Sequence, residues 1–236
     1  MNSNAQSKVF DRSAYYFAIL LLVAIGGFWP SYFSKLLFGT ADFNLYFHFH
    51  AVTAVVWIAL LITQPILIRT KQLKWHRFLG RCSYIVIPLI FISVVLLAHH
   101  CISEEEANLS LSLWVPFKDL FILAVSYGIA IRYRHTVQIH ARGMIATGFV
   151  LIEPALIRLI MHTCSGIGSA GYLLTIGIIY SLFITFIIIE WKAKKGRWVF
   201  PLILGLYVFV HSVIVFRIDI APWQMFANWF ASLPLT

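Results

Sequence analysis

Apolar residues occur in seven long runs that short polar connections separate. The hydrocarbon core of a bilayer takes about 20 apolar residues in a helix, and each run is near that length. The runs cover residues 14–33, 45–69, 82–100, 114–134, 144–162, 171–191 and 198–218. The pattern predicts an all-α, polytopic membrane bundle of seven transmembrane helices.

Basic residues lie mainly on one side of this seven-span arrangement. That side holds 14 of the 18 lysines and arginines: Lys8, Arg12, Arg69, Lys71, Lys74, Arg77, Arg81, Arg132, Arg134, Arg142, Lys192, Lys194, Lys195 and Arg197. The connection from the third to the fourth run, on the other side, carries the acidic residues 104–106. Because cytoplasmic loops are enriched in Lys and Arg, we expect the N-terminus in the cytoplasm and the C-terminus outside.

Composition agrees with a protein whose main solvent is lipid. Hydrophobic residues make up 61% of the 236, charged residues 11%, and the mean hydropathy is +0.86. A soluble domain has roughly 25% charged residues, so we expect a single membrane domain over 1–236, in the bacterial inner membrane. The net charge of +9 does not indicate nucleic acid, because the basic residues lie in the connections.

Both ends of the chain carry recognisable signals. The polar segment 1–13 precedes an apolar run from Ala14 without a small-residue cleavage pattern, which favours a first membrane helix over a removable signal peptide. The tail 219–236 spaces Trp223, Phe226 and Trp229 as a helix would, with Phe230 beside them. We expect a short helix in the membrane interface, where indole rings prefer to lie.

The three cysteines, Cys82, Cys101 and Cys164, form neither a CxxC nor a CxxCH motif. This excludes zinc ribbons and covalently attached c-type haem. Cys101 and Cys164 follow the third and fifth runs on the predicted outer side, where a disulfide is chemically favoured. The sequence leaves open whether they form a disulfide or remain two unpaired thiols.

Ionisable residues lie within the apolar runs, mostly in the predicted outer half. Such residues are costly in a bilayer and mark functional sites. They are Asp119, Glu153, Arg158, His50, His99, His100, His162 and His211. Because they come from five different runs, they predict one buried polar site near the outer leaflet.

Residue spacing places several of these groups on common helix faces. His50, Trp57 and Gln64 recur every seven residues and form one stripe. Arg158 and His162 are four residues apart on one face of the fifth helix. A polar stripe of this kind is expected to face protein rather than lipid.

Three chemistries fit these residue types. Two histidines on facing helices bind b-type haem, three N/O ligands form a metal site, and Glu153 with a neighbouring histidine forms a proton relay. For the first two, His50 would be joined by one or two of His100, His162 and His211 as ligands of haem b or of Zn, Cu or Fe. Glu153, Arg158 and Asp119 would be the catalytic residues, with Glu153 transferring protons. A structural alternative is that Glu153 and Arg158 pair with each other or with neighbouring helices and only hold the bundle together.

Missing motifs narrow the enzyme classes. The chain has no HxxxH or HxxHH box and no GxSxG motif. These absences argue against a desaturase-like di-iron enzyme and a nucleophilic hydrolase.

Four motifs carry a resemblance to a known family. They are His50-x6-Trp57-x6-Gln64, His76-Arg77-x2-Gly80-Arg81, His140-x-Arg142-x-Met144 and Pro154-x3-Arg158. In these and in the ending from Arg217 to Trp229, the chain resembles a family of uncharacterised bacterial multipass membrane proteins, which has no established activity. The resemblance implies six functional positions: His50, Gln64, His76, His140, Arg142 and Arg158. Of these, Gln64, His76, His140 and Arg142 join His50 as expected cofactor-binding residues. Alternatively, His76 and His140 are solvated or bind lipid phosphates beside Arg77 and Arg142.

The HRxxGR turn and the HxRxM helix also resemble cytochrome b561-type haem proteins. Those proteins need paired histidines on facing helices at both membrane faces, and two such pairs are not evident here. We expect a redox protein with haem b or a transition metal, and with a redox partner or a quinone-like lipid-soluble substrate. The alternatives are a non-redox metal-dependent membrane enzyme and a proton or metal carrier or assembly factor.

Overall fold

The computed structural model describes residues 13–102, 108–164 and 166–236, and these residues form helices and no strands. The helices are α1 (Ser13–Phe28), α2 (Leu45–Arg69), α3 (Leu73–Cys101), α4 (Leu109–Arg132), α5 (Val137–Thr163), α6 (Ser169–Ile189), α7 (Val199–Val215) and α8 (Ala221–Ala231). Helix α1 continues through a π-helical turn, Trp29–Phe33, and a last turn, Ser34–Leu37.

Six helices in the described ranges are long and apolar enough to cross a bilayer. The seventh, α7, is apolar but has only 17 residues, about 25 Å at the usual rise, against a hydrocarbon core of about 30 Å. The predicted helical membrane bundle is therefore confirmed in outline. Seven spans and their orientation stay predictions.

Helix α2 has the predicted bounds, whereas α3 and α5 begin earlier than the apolar runs. Helix α3 begins at Leu73 rather than at residue 82, and α5 at Val137 rather than at residue 144. The added turns of α3 carry the exposed residues Lys74, Arg77 and Arg81, whose long side chains let a helix continue beyond the apolar region. As a result, the segment from His76 to Arg81, expected in a turn, lies on the first turns of α3.

Helix α5 is the centre of the bundle and packs against α1, α2, α4, α6 and α7. Small residues permit its closest contacts. A Cβ on Gly27 of α1 would lie 2.1 Å from the carbonyl oxygen of Ala155, and one on Gly143 would lie 2.8 Å from the backbone nitrogen of Ala130. Glycine is thus required where α1 and α4 cross α5.

The connections divide the bundle into two ends, because successive helices joined by short loops run antiparallel. We call the end with the loops 70–72, 133–136 and 190–198 the basic end, and the other the far end. Helix α8 lies at the far end against α4, where Phe230 packs near Leu113 and Trp223 Nε1 donates to Ser110 O at 2.8 Å. The predicted tail helix is confirmed, and it docks on protein while Trp229 stays exposed.

Candidate functional site

A chain of buried polar contacts links α4, α5, α6 and α7 inside the bundle. Lys118 Nζ donates to Asp119 Oδ1 at 2.7 Å and to Glu153 Oε1 at 2.8 Å. The other carboxylate oxygen of Glu153 lies 3.0 Å from His211 Nε2, and the Tyr180 hydroxyl lies 3.1 Å from His211 Nδ1. We call Lys118, Asp119, Glu153, His211 and Tyr180 the charge cluster.

The charge cluster lies well inside the helices that carry it. Lys118 is nine residues from the start of α4 and Glu153 ten residues from the end of α5, about 14–15 Å along each axis from the far end. The Lys118 side chain is fully buried, those of Glu153 and His211 are 5% and 2% exposed, and that of Asp119 is 18% exposed. Of these four side chains, that of Asp119 is therefore the most exposed.

Formal charges do not cancel within the charge cluster. Asp119 and Glu153 carry two negative charges when ionised, and Lys118 supplies one positive charge. An uncompensated charge is expensive inside a protein or a bilayer. One bound proton, on His211 or on a carboxyl group, makes the cluster neutral.

Tyrosines surround the imidazole of His211. The ring centroids of Tyr180, Tyr172 and Tyr207 lie 5.7, 6.1 and 5.4 Å from that of His211. The hydroxyls of Tyr172 and Tyr207 are buried and have no hydrogen-bond partner among the described residues. Tyr172 and Tyr207 therefore bring two further hydroxyls to the surroundings of His211, and each hydroxyl can donate or accept a hydrogen bond.

His50 belongs to a separate, uncharged polar group between α2 and α3. Its Nδ1 lies 3.2 Å from Ser93 Oγ, which in turn lies 3.1 Å from Thr53 Oγ1. Thr53 also donates to the backbone carbonyl of His50. The predicted stripe on α2 thus faces protein at His50, Thr53 and the fully buried Trp57.

The other predicted site residues of the outer half lie apart from the charge cluster. Arg158 packs its guanidinium 4.6 Å from the ring centroid of Phe28 and donates to Pro154 O, so it does not pair with Glu153. The His100 ring lies 5.2 Å from that of Tyr46, and His162 is exposed.

The predicted metal set His50, His100, His162 and His211 is not assembled by these contacts. Both ring nitrogens of His211 are engaged, by Glu153 and by Tyr180. Within the described ranges, no group of three or more His, Cys, Asp or Glu residues could hold a metal ion. The metal and haem assignments for these four residues stay predictions that no contact here supports.

Three predicted cofactor residues do approach one another, near the basic end. The His76 side chain lies near the backbone of Gln64 and near the side chain of His140. The Gln64 amide atoms and His76 Nδ1 are buried without a hydrogen-bond partner among the described residues. His140 Nδ1 donates to Ala130 O at 2.9 Å, which leaves Nε2 as the acceptor nitrogen. We call Gln64, His76 and His140 the basic-end cluster.

The fourth such residue, Arg142, forms a structural ion pair instead. Its Nε donates to Glu190 Oε2 at 2.6 Å and its Nη1 donates to Gln138 O. Both partners of the ion pair are buried. The pair ties α5 to the connection that follows α6.

Sequence reasoning missed Lys118 and Tyr180. Lys118 adjoins Asp119 inside the fourth apolar run, so counting charges within that run would have found it. Tyr180 carried no signal, because a tyrosine in an apolar run is common.

Cys82, Cys101 and Cys164 are free thiols in the structure, which agrees with the unpaired alternative.

A scan of family models, a search of curated proteins and a search of solved structures each found no match to the chain. The family resemblance therefore stays a prediction.

Proposed function

We propose that this integral membrane protein is a carrier that moves protons through the charge cluster. The supporting observation is the buried contact of Lys118 and His211 with the two oxygens of one carboxylate, that of Glu153. With Asp119 included, the cluster is one positive charge short of neutrality until it binds a proton. A site that becomes neutral on binding one proton suits reversible uptake in a low-dielectric interior.

The contacts suggest an order for the proton's movement. Asp119, with the most exposed carboxylate of the cluster, exchanges protons with the far end. Glu153 accepts the proton between Lys118 and His211. His211 then passes it towards Tyr180, because its two ring nitrogens contact Glu153 on one side and the Tyr180 hydroxyl on the other.

Proton flux into proteoliposomes tests this proposal. The purified protein is reconstituted with a pH-sensitive dye trapped inside, and a potassium gradient with valinomycin supplies the driving potential. In liposomes that contain wild-type protein, the lumenal pH should change much faster than in protein-free liposomes. Glu153→Gln should fall to that background rate, because the Lys118–Asp119 pair that remains is already neutral.

A matched control separates this effect from a general loss of charge. Asp42 is an exposed carboxylate in the connection between α1 and α2, so Asp42→Asn should retain the wild-type rate. Equal flux in wild-type protein and Glu153→Gln would contradict the proposal.

The basic-end cluster favours a second candidate function, a redox role with haem b or a transition metal. The buried, unpartnered atoms of Gln64 and His76 are groups that a ligand would satisfy. His140 has the hydrogen bond from Nδ1 to a backbone carbonyl that usually orients metal-bound histidines. His76 and His140 would hold the group, which would supply electron transfer to a redox partner or a quinone-like substrate.

An absorption spectrum with metal analysis of the detergent-purified protein tests this second candidate. Haem should give a Soret band and a metal ion a near-stoichiometric content, and His140→Ala should lose either signal. His135→Ala, which alters an exposed histidine nearby, should retain it. Wild-type protein with neither haem nor metal would contradict the redox role and leave the proton carrier.

A further inference from the structure

Five side chains between the middle of the bundle and the basic end carry buried polar atoms without a hydrogen-bond partner among the described residues. They are Trp57 (Nε1), Gln64 (Oε1 and Nε2), His76 (Nδ1), Ser126 (Oγ) and Tyr207 (Oη). We call these five residues the basic-half line. Buried polar groups almost always bind a protein group or an ordered water molecule, because an unsatisfied one is costly. The basic-half line therefore indicates a ligand that forms hydrogen bonds.

The residues of the basic-half line lie at successive depths. Counted from the basic end of its own helix, Trp57 is twelve residues inward, Tyr207 eight, Ser126 six, Gln64 five and His76 three. At a rise of about 1.5 Å per residue, these positions are about 18 to 5 Å from the basic end. His211 is also twelve residues inward on α7, at about the depth of Trp57. The line thus begins at the level of the charge cluster.

Hydroxyl groups of α3 and α4 border the line between Trp57 and Gln64. The Tyr127 hydroxyl lies 2.8 Å from Ser83 Oγ, and the Ser83 hydroxyl donates to Gly80 O at 2.6 Å. A Cβ on Gly80 would lie 3.9 Å from Gln64 Nε2. The Tyr127 ring meets that of Trp57 edge to face, with centroids 5.9 Å apart. Polar groups therefore continue from the middle of α2 to its basic end.

Both ends of the basic-half line adjoin clusters described above. At one end, the ring centroid of Tyr207 lies 5.4 Å from that of His211. Tyr207 and Ser126 belong to α7 and α4, which pack against each other. At the other end, the His76 side chain lies near that of His140. The line therefore leads from the charge cluster into the basic-end cluster.

We propose that ordered water molecules bind along the basic-half line and carry protons between the charge cluster and the basic end. The binding of water stands on the buried polar atoms alone, whereas the passage of protons rests on the proposed carrier function. Trp57 Nε1 can only donate a hydrogen bond, while the Gln64 amide and the Ser126 hydroxyl both donate and accept. Water matches this mixture because it also donates and accepts. The five side chains include no carboxylate, so the line offers a metal cation no counter-charge.

Protons would move along this line without net chemical change. Each water molecule accepts a proton from one neighbour and releases another to the next. Trp57 holds a water molecule by donation and carries no proton itself. A haem or metal ion at the basic-end cluster would compete for the same atoms of Gln64 and His76, so water and a cofactor exclude each other there.

Radiolytic hydroxyl labelling in ¹⁸O-water tests the binding of water in the detergent-purified protein. X-rays convert a bound water molecule into a hydroxyl radical, which modifies the side chains beside it, and mass spectrometry locates the label. Trp57 and Tyr207 should be labelled although both are fully buried. Phe149 is also buried but packs against Phe183 and Phe186, and should stay unlabelled. Trp57 and Tyr207 as unreactive as Phe149 would overturn the proposal.

Proton flux into proteoliposomes tests the route. Gln64→Leu keeps a similar volume but removes the amide, and its flux should fall to the rate of protein-free liposomes. Ser126→Ala, a smaller change on α4, should also slow the flux. Gln72→Leu alters an exposed glutamine at the basic end and should keep the wild-type rate. Circular dichroism of each variant confirms that helix content is unchanged.

The two experiments separate failure of the route from failure of the carrier function. Wild-type flux that persists in both Gln64→Leu and Ser126→Ala would overturn the route while the carrier function stands. Labelled Trp57 and Tyr207 in a wild-type protein without any flux would refute proton transport itself, and the line would then bind water without carrying protons.

Discussion

Lys118 Nζ lies 2.8 Å from Glu153 Oε1, although the two residues come from different helices and both are buried. A lysine of this kind is retained in an apolar interior only with strong compensation, because an unpaired buried charge costs several kcal/mol. Lys118 has two compensating partners, Asp119 and Glu153. The contact therefore connects α4 to α5 through a buried ion pair.

Charge balance predicts that Lys118 and Glu153 are not equivalent for stability. Lys118→Met leaves two buried carboxylates without a cation and should lower the free energy of unfolding by about 3–5 kcal/mol. Glu153→Gln leaves the neutral Lys118–Asp119 pair and should cost about 1 kcal/mol, the usual contribution of one hydrogen bond. Thermal and denaturant unfolding in detergent micelles measures both. Equal losses would show that the cluster is not held together by its charges.

Much of the fold was predictable, because hydropathy reports directly on the bilayer. The bounds of α2 and the existence of α8 were predicted correctly from the pattern alone. The starts of α3 and α5 were not, since apolar runs reveal the buried part of a helix and not the basic turns that extend it.

The candidate site was predictable only in part. Glu153, His211 and Asp119 were found as charges in apolar runs.

Which charges meet depends on the rotation of each helix about its axis, and one sequence does not determine this. Glu153 and Arg158 are five residues apart on α5, about 140° around the helix, so they point to different neighbours. Glu153 contacts Lys118 and His211, whereas Arg158 packs on Phe28 of α1. Of the structural alternative, the pairing of Glu153 with Arg158 is therefore wrong, whereas the pairing of Glu153 with neighbouring helices is what the structure shows.

Because α1 crosses α5 closely at Gly27, we expect the stability of the protein to fall steeply as the side chain at residue 27 becomes larger. Gly27→Ala places a Cβ 2.1 Å from Ala155 O, and the helices must separate, at about 1–3 kcal/mol for such overpacking. Gly177→Ala on α6 meets nothing within 4 Å and should be neutral or stabilising by up to about 1 kcal/mol. Unfolding temperatures of the two variants in detergent distinguish them. Gly27→Ala with wild-type stability would contradict the close crossing.

The Arg142–Glu190 pair predicts a non-additive double mutant. Arg142→Met alone should cost about 3–5 kcal/mol because it leaves Glu190 buried without its cation. The combination with Glu190→Gln should recover part of that loss, since both charges are then absent. A double-mutant cycle of unfolding free energies measures the coupling. Additive effects would mean that the two side chains do not stabilise each other.

Membrane orientation predicts which thiols react from outside. Cys101 and Cys164 are exposed free thiols at the far end, and the distribution of basic residues predicts that this end lies outside the cell. A membrane-impermeant maleimide applied to intact cells without reductant should label both, and Cys101→Ser and Cys164→Ser should each lose one label. Labelling only after lysis would reverse the orientation, and labelling only after reduction would indicate a disulfide.

The most direct test of the proton-binding account is infrared spectroscopy of the purified protein during a pH titration. The account predicts that the charge cluster of wild-type protein takes up one proton. This uptake should appear either as the carbonyl stretch of a protonated carboxyl group or as the ring signal of protonated His211. Glu153→Gln should lose this signal while keeping its helix content, and Asp42→Asn should keep it. An unchanged signal in Glu153→Gln, or no protonation signal in wild-type protein at any pH that preserves the fold, would contradict proton binding by the charge cluster.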